Sequence, residues 1–484
     1  MAHIKFLDET CRDGQQSLWG MRMQAGMAYP ALPIIDETGY STISLAGSSL
    51  FEVLVRHCRE DPWAGLDLMM GQIRKTPVRG GIRSNGSVTF GFTPDSLMDL
   101  WMERLCVHGV RSWWIYDVLF NIEKMARLAK HSKKYGCKVA GTMLYTVSPV
   151  HTDEFWSDKA DKLSAIPEVD SLLLYDTGGV LDRDRIKTLV PALLAKSRGK
   201  PLELHSNNML GQSAKAYVDA VEFGVSVLHT AARSMANGPS IPSIDVMVRN
   251  MELLGHTHDI DKSKLKPVSD HFERVGKAAG YLVNQNYEYD ITSLRHQVPG
   301  GMMGTLRNQL VAQNMLEKLP EVLEEVATVR RELGYPAMAT PFAQLVGTLA
   351  VLNIVTGRRY GAVPDEVIQY AAGFYGDPPA PIDPAAMDKI MSAPRAKEIL
   401  ANPPPQPDLD DLKRQHGTQD EDELILKALV PAADIAKMRL TGPPARDFPA
   451  LSSPELKQVE RLMKVAATPY VRLKTETMEV TVRR

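Results

Sequence analysis

The feature that most constrains this chain is an alternation of short apolar segments with helix-like stretches. Eight segments have strand-like composition: His3–Asp8, Ser41–Ala46, Val78–Arg83, Ser112–Asp117, Lys138–Tyr145, Ser171–Asp176, Leu202–Asn207 and Ser226–Ala231. Helical periodicity lies between them, as in Asp95–His108, Ile122–Tyr135, Asp184–Ser197 and Ser213–Phe223. Repeated strand–helix units favour a parallel sheet. Eight of them over about 250 residues predict an α/β fold with a closed (β/α)8 TIM barrel.

An open, doubly wound sheet is the competing interpretation. No GxGxxG sequence follows the first predicted strand, which weakens that alternative. The third strand is ambiguous, because Ser87–Phe92 also alternates.

The pattern changes near residue 300. From Gly300 to about Met391 the periodicity is mostly helical, and Asn402–Pro407 reads as a proline-rich linker. A helical region is predicted over Asp420–Leu440, and Tyr470–Arg484 alternates like a strand. We therefore predict a barrel domain over residues 1–300, a helical domain over 301–400 and a proline-linked C-terminal region over 401–484.

Charge, cysteine content and hydropathy argue against several classes of protein. A formal charge of −2 gives no electrostatic reason to expect nucleic acid or an anionic membrane as a partner. The four cysteines form no CxxC pair, and no apolar run is long enough to span a bilayer. The first ten residues lack the apolar core of a secretion signal. These features predict a cytoplasmic protein without membrane insertion.

Polar residues cluster at the carboxyl ends of the predicted strands, where TIM barrels carry their chemistry. These residues are Arg12, Asp13, Arg83, Asp117, Thr146, Ser148, Tyr175, Asp176, His205 and Asn207. We expect Asp13, Tyr175, His205 and Asn207 to converge at one end of the barrel.

Three motifs carry the candidate chemistry, and each has a simpler interpretation. In Arg12–Ser17, an Asp could bind a metal and an Arg could stabilise an enolate, or the motif is a surface turn with a helix cap. In Leu202–Asn208, His205 and Asn207 share one strand face, but a single His is more often a satisfied polar residue. The loop Gly141–Thr152 either binds substrate or supplies turn chemistry.

Collinear motifs from residue 4 to about 440 give the chain a family resemblance. They include LDETCRDGQQS, GIRSNG, GTMLYTVSPVHT, HQVPGGMMGTLRNQL, ATPFAQLVG and RRYGAVPDEVIQYAAGFYGDPPAPID. The chain resembles the carboxyltransferase domain of pyruvate carboxylase, the α-subunit of oxaloacetate decarboxylase and the carboxyltransferase subunit of transcarboxylase. The resemblance implies a barrel with a helical funnel domain at its mouth.

The resemblance also implies residue roles. Asp13 matches a metal ligand, Arg12 a catalytic arginine and Gln16 a substrate contact. Arg83 matches the arginine that pairs with the keto-acid carboxylate, and Thr340 matches a proton-shuttling threonine. Carboxybiotin then releases CO2, the threonine passes a proton to the biotin, and an enolate attacks the CO2. We add two substrate-binding candidates from the loop after strand five, Tyr145 and Ser148.

The chain departs from the family at the metal site. The family has a second His where this chain has Asn207, and a Lys where it has Tyr175. Asp13 and His205 remain as the other two ligands. Because Asn and Tyr are weaker donors, we expect either a weakly held divalent ion (zinc, manganese or cobalt) or an empty site in which Arg12 carries most of the enolate stabilisation.

These features predict a biotin-dependent carboxyltransferase or decarboxylase component acting on a substrate other than simple pyruvate. Biotin would be carried by a partner chain. Met463–Lys464 looks like a biotinyl site, but Ser452–Val465 reads as a helix rather than the β-rich fold required. The expected partners are separate biotin carboxyl carrier and biotin carboxylase subunits, a small-molecule substrate, and further copies in a homodimer or larger complex. The alternatives are a biotin-independent lyase or aldolase, similar to hydroxymethylglutaryl-CoA lyase, and a non-catalytic assembly subunit.

Overall fold

The computed structural model describes residues 1–86, 92–299, 302–303, 306, 309–311, 313–448, 470–474 and 479–483. Eight parallel strands form a closed barrel in chain order. They are β1 (Lys5–Asp8), β2 (Thr42–Gly47), β3 (Val78–Arg83), β4 (Ser112–Tyr116), β5 (Lys138–Tyr145), β6 (Ser171–Asp176), β7 (Leu202–Ser206) and β8 (Val227–Thr230). Pairing of β8 with β1, in which Leu7 lies opposite His229, closes the barrel. The predicted fold class is confirmed.

Strand ends differ from the sequence prediction by one or two residues, as expected where ladder hydrogen bonds run out. His3 forms only an isolated bridge to Thr257, so β1 begins at Lys5. Strand β3 lies at Val78–Arg83 as predicted. Of the alternative segment Ser87–Phe92, residues 87–91 lie outside the described residues.

Helices alternate with the strands around the barrel. They are α1 (Gln15–Trp19), α2 (Ala25–Ala28), α3 (Leu32–Asp36), α4 (Ser48–Val53), α5 (Pro62–Met70), α6 (Asp95–Val107), α7 (Ile122–Lys133), α8 (Asp153–Ala165), α9 (Arg183–Lys196), α10 (Ser213–Glu222) and α11 (Ile244–Leu253). Asn121, Thr152 and Asp182 cap α7, α8 and α9, each accepting a backbone N–H with its side chain. The apolar core lies between this helical layer and the outward strand faces.

The chain continues as a mainly helical region. Its helices are α12 (Leu265–Ala279), α13 (Ser293–His296), α14 (Leu319–Glu332), α15 (Phe342–Thr356), α16 (Asp365–Ala371), α17 (Pro384–Met391), α18 (Ala396–Ala401), α19 (Leu409–His416), α20 (Glu421–Leu429) and α21 (Ala432–Arg439). The predicted single helical region Asp420–Leu440 is two helices, because Val430 is extended and Pro431 cannot donate a helical hydrogen bond. Among the described residues, no helix is both long and apolar enough to cross a membrane.

The helical region covers the carboxyl end of the barrel. Trp114, Leu144 and Tyr175 project from β4, β5 and β6 into one apolar cluster with residues of α15 such as Phe342. The Thr177 hydroxyl, just beyond β6, donates to the carbonyl of Met338 at 3.2 Å. The helical region therefore forms the lid of the barrel mouth, and we call this apolar cluster the lid cluster.

The segment after the proline-rich linker packs on the outside of the barrel. Asp422 accepts from Arg104 of α6 at 2.7 Å, and its carbonyl accepts from the indole of Trp63 at 3.2 Å. Leu424 and Ile425 join the core between barrel and helices. Farther on, Tyr470–Lys474 (β9) and Glu479–Arg483 (β10) pair as antiparallel strands, whereas the predicted helix Ser452–Val465 and Lys464 lie outside the described residues.

Candidate active site

The turn after β1 places two charged side chains inside the barrel mouth. The chain enters one π-helical turn, Thr10–Gly14, in which every residue is buried. The Thr10 hydroxyl donates to Asp8 at 2.6 Å and accepts from the backbone of Ala232 at 2.9 Å. A Cβ at Gly14 would lie 2.9 Å from the carbonyl of Met235, so the turn needs glycine for this close approach.

Arg12 is held over aromatic rings rather than by a close carboxylate. Its guanidinium carbon lies 4.6 Å from the Trp114 ring centroid, and Nη1 donates to the Tyr175 hydroxyl at 3.1 Å. The nearest oxygens of Glu9 and Asp13 are each 3.8 Å from Nη1. Burial opposes the charge, but Tyr175 and the two carboxylates outweigh it and raise the pKa of Arg12. Arg12 is therefore a fixed cation at the mouth.

Trp114 can occupy this position because its neighbour on β3 is glycine. A Cβ at Gly81 would lie 2.3 Å from the Trp114 ring. The small residue thus makes room for the aromatic surface on which Arg12 rests.

Asp13 accepts hydrogen bonds from three sides. Asn207 Nδ2 donates at 3.1 Å, the Ser240 hydroxyl at 2.8 Å, and the Ser17 hydroxyl at 3.3 Å. His205 Nε2 lies 3.5 Å away. Burial acts to raise the pKa of Asp13, but the contacts with His205, Arg12 and Asn207 lower it to about 2. Asp13 is therefore ionised at neutral pH.

The structure brings together the four residues expected to converge. Asn207 and His205 contact Asp13, and the rings of Tyr175 and His205 have centroids 4.0 Å apart. We call Arg12, Asp13, Tyr175 and Asn207 the mouth group.

A second buried cluster lies deeper in the barrel. Arg79 of β3 and Glu203 of β7 form a bidentate pair, with N–O distances of 2.5 and 3.2 Å. His229 of β8 lies between Glu203, at 2.9 Å, and Glu9, at 3.2 Å. Burial opposes its charge, but these carboxylates raise the pKa of His229. We call Glu9, Arg79, Glu203 and His229 the deep group, and His205 connects it to the mouth group.

Two predicted substrate contacts lie away from both groups. On β5, Ala140 and Leu144 face the lid cluster, so Tyr145 points outward, into the core beside Trp156 of α8. Its hydroxyl accepts from Arg185 of α9 at 3.3 Å. This position does not support the substrate-binding role predicted for Tyr145.

Ser148 stabilises its own loop. Its hydroxyl shares a hydrogen bond of 2.7 Å with His151 Nδ1 and accepts from the backbone of Val150 at 3.3 Å. The structure therefore supports the turn interpretation of this loop. The loop is joined to the lid through Thr146, which receives a hydrogen bond from Arg330 of α14 at 2.8 Å.

The other predicted residues lie around the mouth. Arg83 is buried at the end of β3, with Nε donating to the carbonyl of Gly86 at 3.1 Å. Gln16 is half-buried on α1, immediately after the π-helical turn. Thr340 is half-buried in the lid, two residues after Met338, and its hydroxyl accepts from Gln344 Nε2 at 3.2 Å.

Sequence comparison relates the chain to known carboxylases. A sequence model described as a conserved carboxylase domain matches residues 294–481. A pyruvate carboxylase subunit from Methanocaldococcus jannaschii is 31% identical, over 99% of this chain and 84% of that protein. The chain belongs to the carboxyltransferase family that includes this pyruvate carboxylase subunit.

Other carboxyltransferases extend the comparison. The methylmalonyl-CoA carboxyltransferase 5S subunit of Propionibacterium freudenreichii is 28% identical, over 81% of this chain and 77% of that protein. The carboxyltransferase domain of Rhizobium etli pyruvate carboxylase, solved with pyruvate, superposes with a TM-score of 0.83 at 18% identity. That superposition covers 99% of this chain and 83% of the solved one, and it supports the fold.

The metal ligands that the carboxyltransferase resemblance implies do not fit a metal at the mouth. Asn207 Nδ2 donates both to Asp13 and to the carbonyl of Pro239, at 3.0 Å. Both partners are acceptors, which fixes the amide orientation and directs N–H rather than oxygen at Asp13. Tyr175 accepts from Arg12, and burial raises the pKa of its phenol, so it stays neutral. The mouth group therefore satisfies Asp13 with hydrogen-bond donors.

Sequence reasoning missed the deep group and Trp114. Glu203 stands two residues before His205, so strand alternation places both on the inward face. That signal was available for Glu203, as it was for Arg79, four residues before Arg83. No local signal pairs Glu9 with His229, because they meet only where β8 closes on β1.

Proposed function

We propose that this chain is the carboxyltransferase component of a biotin-dependent enzyme. It moves CO2 between carboxybiotin on a separate carrier protein and an enolisable keto-acid or acyl substrate. The observation that carries the proposal is Arg12, a buried cation at the barrel mouth, held by aromatic rings and without a carboxylate closer than 3.8 Å. Such a guanidinium can donate to an oxygen that becomes negative during the reaction.

The substrate side of the reaction uses residues of the barrel. Arg12 stabilises the enolate oxygen, because its charge is fixed before the reaction begins. Arg83 follows Arg79 and Gly81 on the inward face of β3, where its guanidinium would bind the substrate carboxylate. Gln16, three residues after Asp13 and on α1, would contact the same substrate.

The proton transfer to biotin uses a residue of the lid. Biotin, when its carrier docks, supplies the carboxyl group. Gln344 donates to the Thr340 hydroxyl oxygen, so the hydroxyl hydrogen of Thr340 can be directed elsewhere. Thr340 would move a proton at this oxygen, in a segment that Met338 ties to the end of β6. Asp13 holds no metal in this scheme, since the mouth group does not fit one.

The proposal extends to partners and organisation. Separate biotin carboxyl carrier and biotin carboxylase chains would complete the enzyme, in the cytoplasm, around a homodimer or larger assembly. The barrel at 1–300 would bind substrate, the helical domain at 301–400 would receive biotin, and the region 401–484 would serve assembly.

The experiment uses free biotin in place of the carrier. In oxaloacetate, oxalosuccinate and methylmalonyl-CoA, a carboxyl group is attached to the carbon next to a ketone or thioester carbonyl. Loss of CO2 from that carbon leaves an enolate. Each compound is incubated with the purified chain, and CO2 release is measured with and without biotin. We expect biotin to stimulate release from at least one substrate. Thr340→Val, which removes only the hydroxyl group, should abolish the stimulation.

The alternatives give different results. Cleavage at the same rate without biotin would identify a biotin-independent lyase. An absence of turnover with all three compounds, with or without biotin, would contradict the proposal and favour an assembly subunit. Tyr145→Phe serves as the matched control, because the Tyr145 hydroxyl lies between the barrel and its outer helices, away from the mouth.

A further inference from the structure

Three potential metal-ligand atoms meet between the mouth group and the deep group. Glu9 Oε1, His205 Nδ1 and His229 Nδ1 come from the end of β1, from β7 and from β8, the strand between them. The two Nδ1 atoms are 3.1 Å apart, and Glu9 Oε1 lies 3.2 Å from His229 and 3.8 Å from His205. The circle through three such points has a radius of about 2.0 Å, the bond length of zinc to imidazole nitrogen and carboxylate oxygen.

The far nitrogen of each imidazole faces a carboxylate. His229 Nε2 lies 2.9 Å from Glu203, which Arg79 and the Ser171 hydroxyl hold in place. His205 Nε2 lies 3.5 Å from Asp13. Carboxylates in this position orient metal-binding histidines and keep the proton on the nitrogen away from the ion. Glu203 therefore leaves His229 Nδ1 free to act as a ligand, and Asp13 lies on the side of the His205 ring opposite the Nδ1 atom that faces His229.

With both imidazoles neutral, the mouth group and the deep group together carry one excess negative charge. The two Nδ1 atoms face each other at 3.1 Å, where either the proton of one ring or a metal ion can join them. The three carboxylates of Glu9, Asp13 and Glu203 exceed the two guanidinium groups of Arg12 and Arg79 by one charge. A metal ion at the centre would balance this charge, as would a proton held on His229.

We propose that this chain binds a divalent transition metal through Glu9, His205 Nδ1 and His229 Nδ1. The site lies on the other side of the His205 ring from the position that the family resemblance implies, and it uses the opposite nitrogen of His205. Two imidazoles and a carboxylate suit zinc, iron(II), cobalt and manganese. The proposal is independent of the carboxyl-transfer reaction, because it concerns metal content alone.

The decisive experiment counts imidazole ligands in the wild-type chain. The protein is produced in media enriched in zinc, cobalt, manganese or iron, because a site this buried would be loaded during folding. Metal content is measured by mass spectrometry and the ligands by X-ray absorption. We expect about one ion per chain with two imidazole ligands. The implied mouth site offers only His205, so a single imidazole would overturn the proposal.

Variants provide an independent test. His229→Gln and Glu9→Gln should lower metal occupancy about tenfold or more, since each removes a ligand. Asn207→Ala and Tyr175→Phe, which alter only the mouth group, should retain the metal. The reverse pattern would contradict the proposal. If the deep variants do not fold, the wild-type measurement still decides, and less than about a tenth of an ion per chain in every medium would overturn the proposal and leave a proton as the bridging cation.

Discussion

The mouth group and the deep group hold their buried arginine side chains in different ways. In the deep group, Arg79 has a bidentate carboxylate partner, Glu203, with N–O distances of 2.5 and 3.2 Å. In the mouth group, Arg12 is 3.8 Å from both nearby carboxylates and is held by Trp114 and Tyr175. The Arg79 pair has little capacity left for a ligand, whereas the Arg12 guanidinium has donors to offer. We therefore expect the deep group to contribute mainly to stability and the mouth group to catalysis.

The largest expected effect comes from a substitution that breaks the ion pair of the deep group. Glu203→Ala leaves Arg79 buried without its carboxylate and removes the partner of His229 Nε2. Removing one member of a buried ion pair costs about 3–5 kcal/mol, and we expect a loss of unfolding free energy of this size in urea denaturation. Glu203→Gln, which retains the shape and some hydrogen bonds, should cost less. A loss below about 1 kcal/mol for Glu203→Ala would show that the pair is not structural.

A change at the mouth should affect activity more than stability. Arg12→Lys keeps the charge but loses the planar contact with Trp114 and the donor to Tyr175. We expect kcat for carboxyl transfer to fall about 100- to 1000-fold, the range for losing an oxyanion-stabilising donor. Urea denaturation should show a smaller loss than for Glu203→Ala. Retention of activity within about tenfold would remove Arg12 from the mechanism.

The pH dependence of stability should report the ionised Asp13. Its pKa is about 2 in the folded chain against 3.8 as the ordinary value. Because the folded pKa is lowered, its contribution is present above pH 4 and is lost as the pH falls from 4 towards 2. The difference corresponds to about 2 kcal/mol. Asp13→Asn should flatten the acid limb of unfolding free energy measured against pH, and an unchanged limb would contradict this.

The smallest effect should come from the outward face of β5. Tyr145→Phe removes one hydrogen bond of 3.3 Å from Arg185. We expect a stability loss of about 1 kcal/mol or less, and kcat/KM unchanged within about twofold. Steady-state kinetics on the substrate that responds to biotin would check this. A large rise in KM would restore Tyr145 as a substrate contact and weaken the assignment of chemistry to the mouth group.

Sequence and structure agree best where the information is local. The sequence predicts strands β3 and β5 with the bounds observed, because alternating or continuous apolar patterns are set by neighbouring residues. The convergence of Asp13, His205 and Asn207 is also predictable. In a closed parallel barrel the carboxyl ends of all strands meet on one rim, so their sequence separation is irrelevant.

The structure departs from the sequence-based expectation where the direction of a side chain, or the identity of its partners, must be known. Tyr145 and Leu144 are adjacent in sequence and point to opposite faces, and only the lid cluster shows that Leu144 faces the mouth. The sequence predicts Asn207 as a weak metal ligand offering oxygen. The carbonyl of Pro239, from the segment after β8, fixes the opposite orientation of its amide.

The sequence by itself determined the barrel, the order of its strands and the rim that carries Arg12 and Asp13, because periodicity and strand ends are properties of short segments. The tertiary structure alone decided how the buried charges pair. Glu9 and His229 are 220 residues apart and meet because β8 closes on β1. Electrostatic pairing depends on distance in space and on removal from water, and no short stretch of the chain determines either quantity.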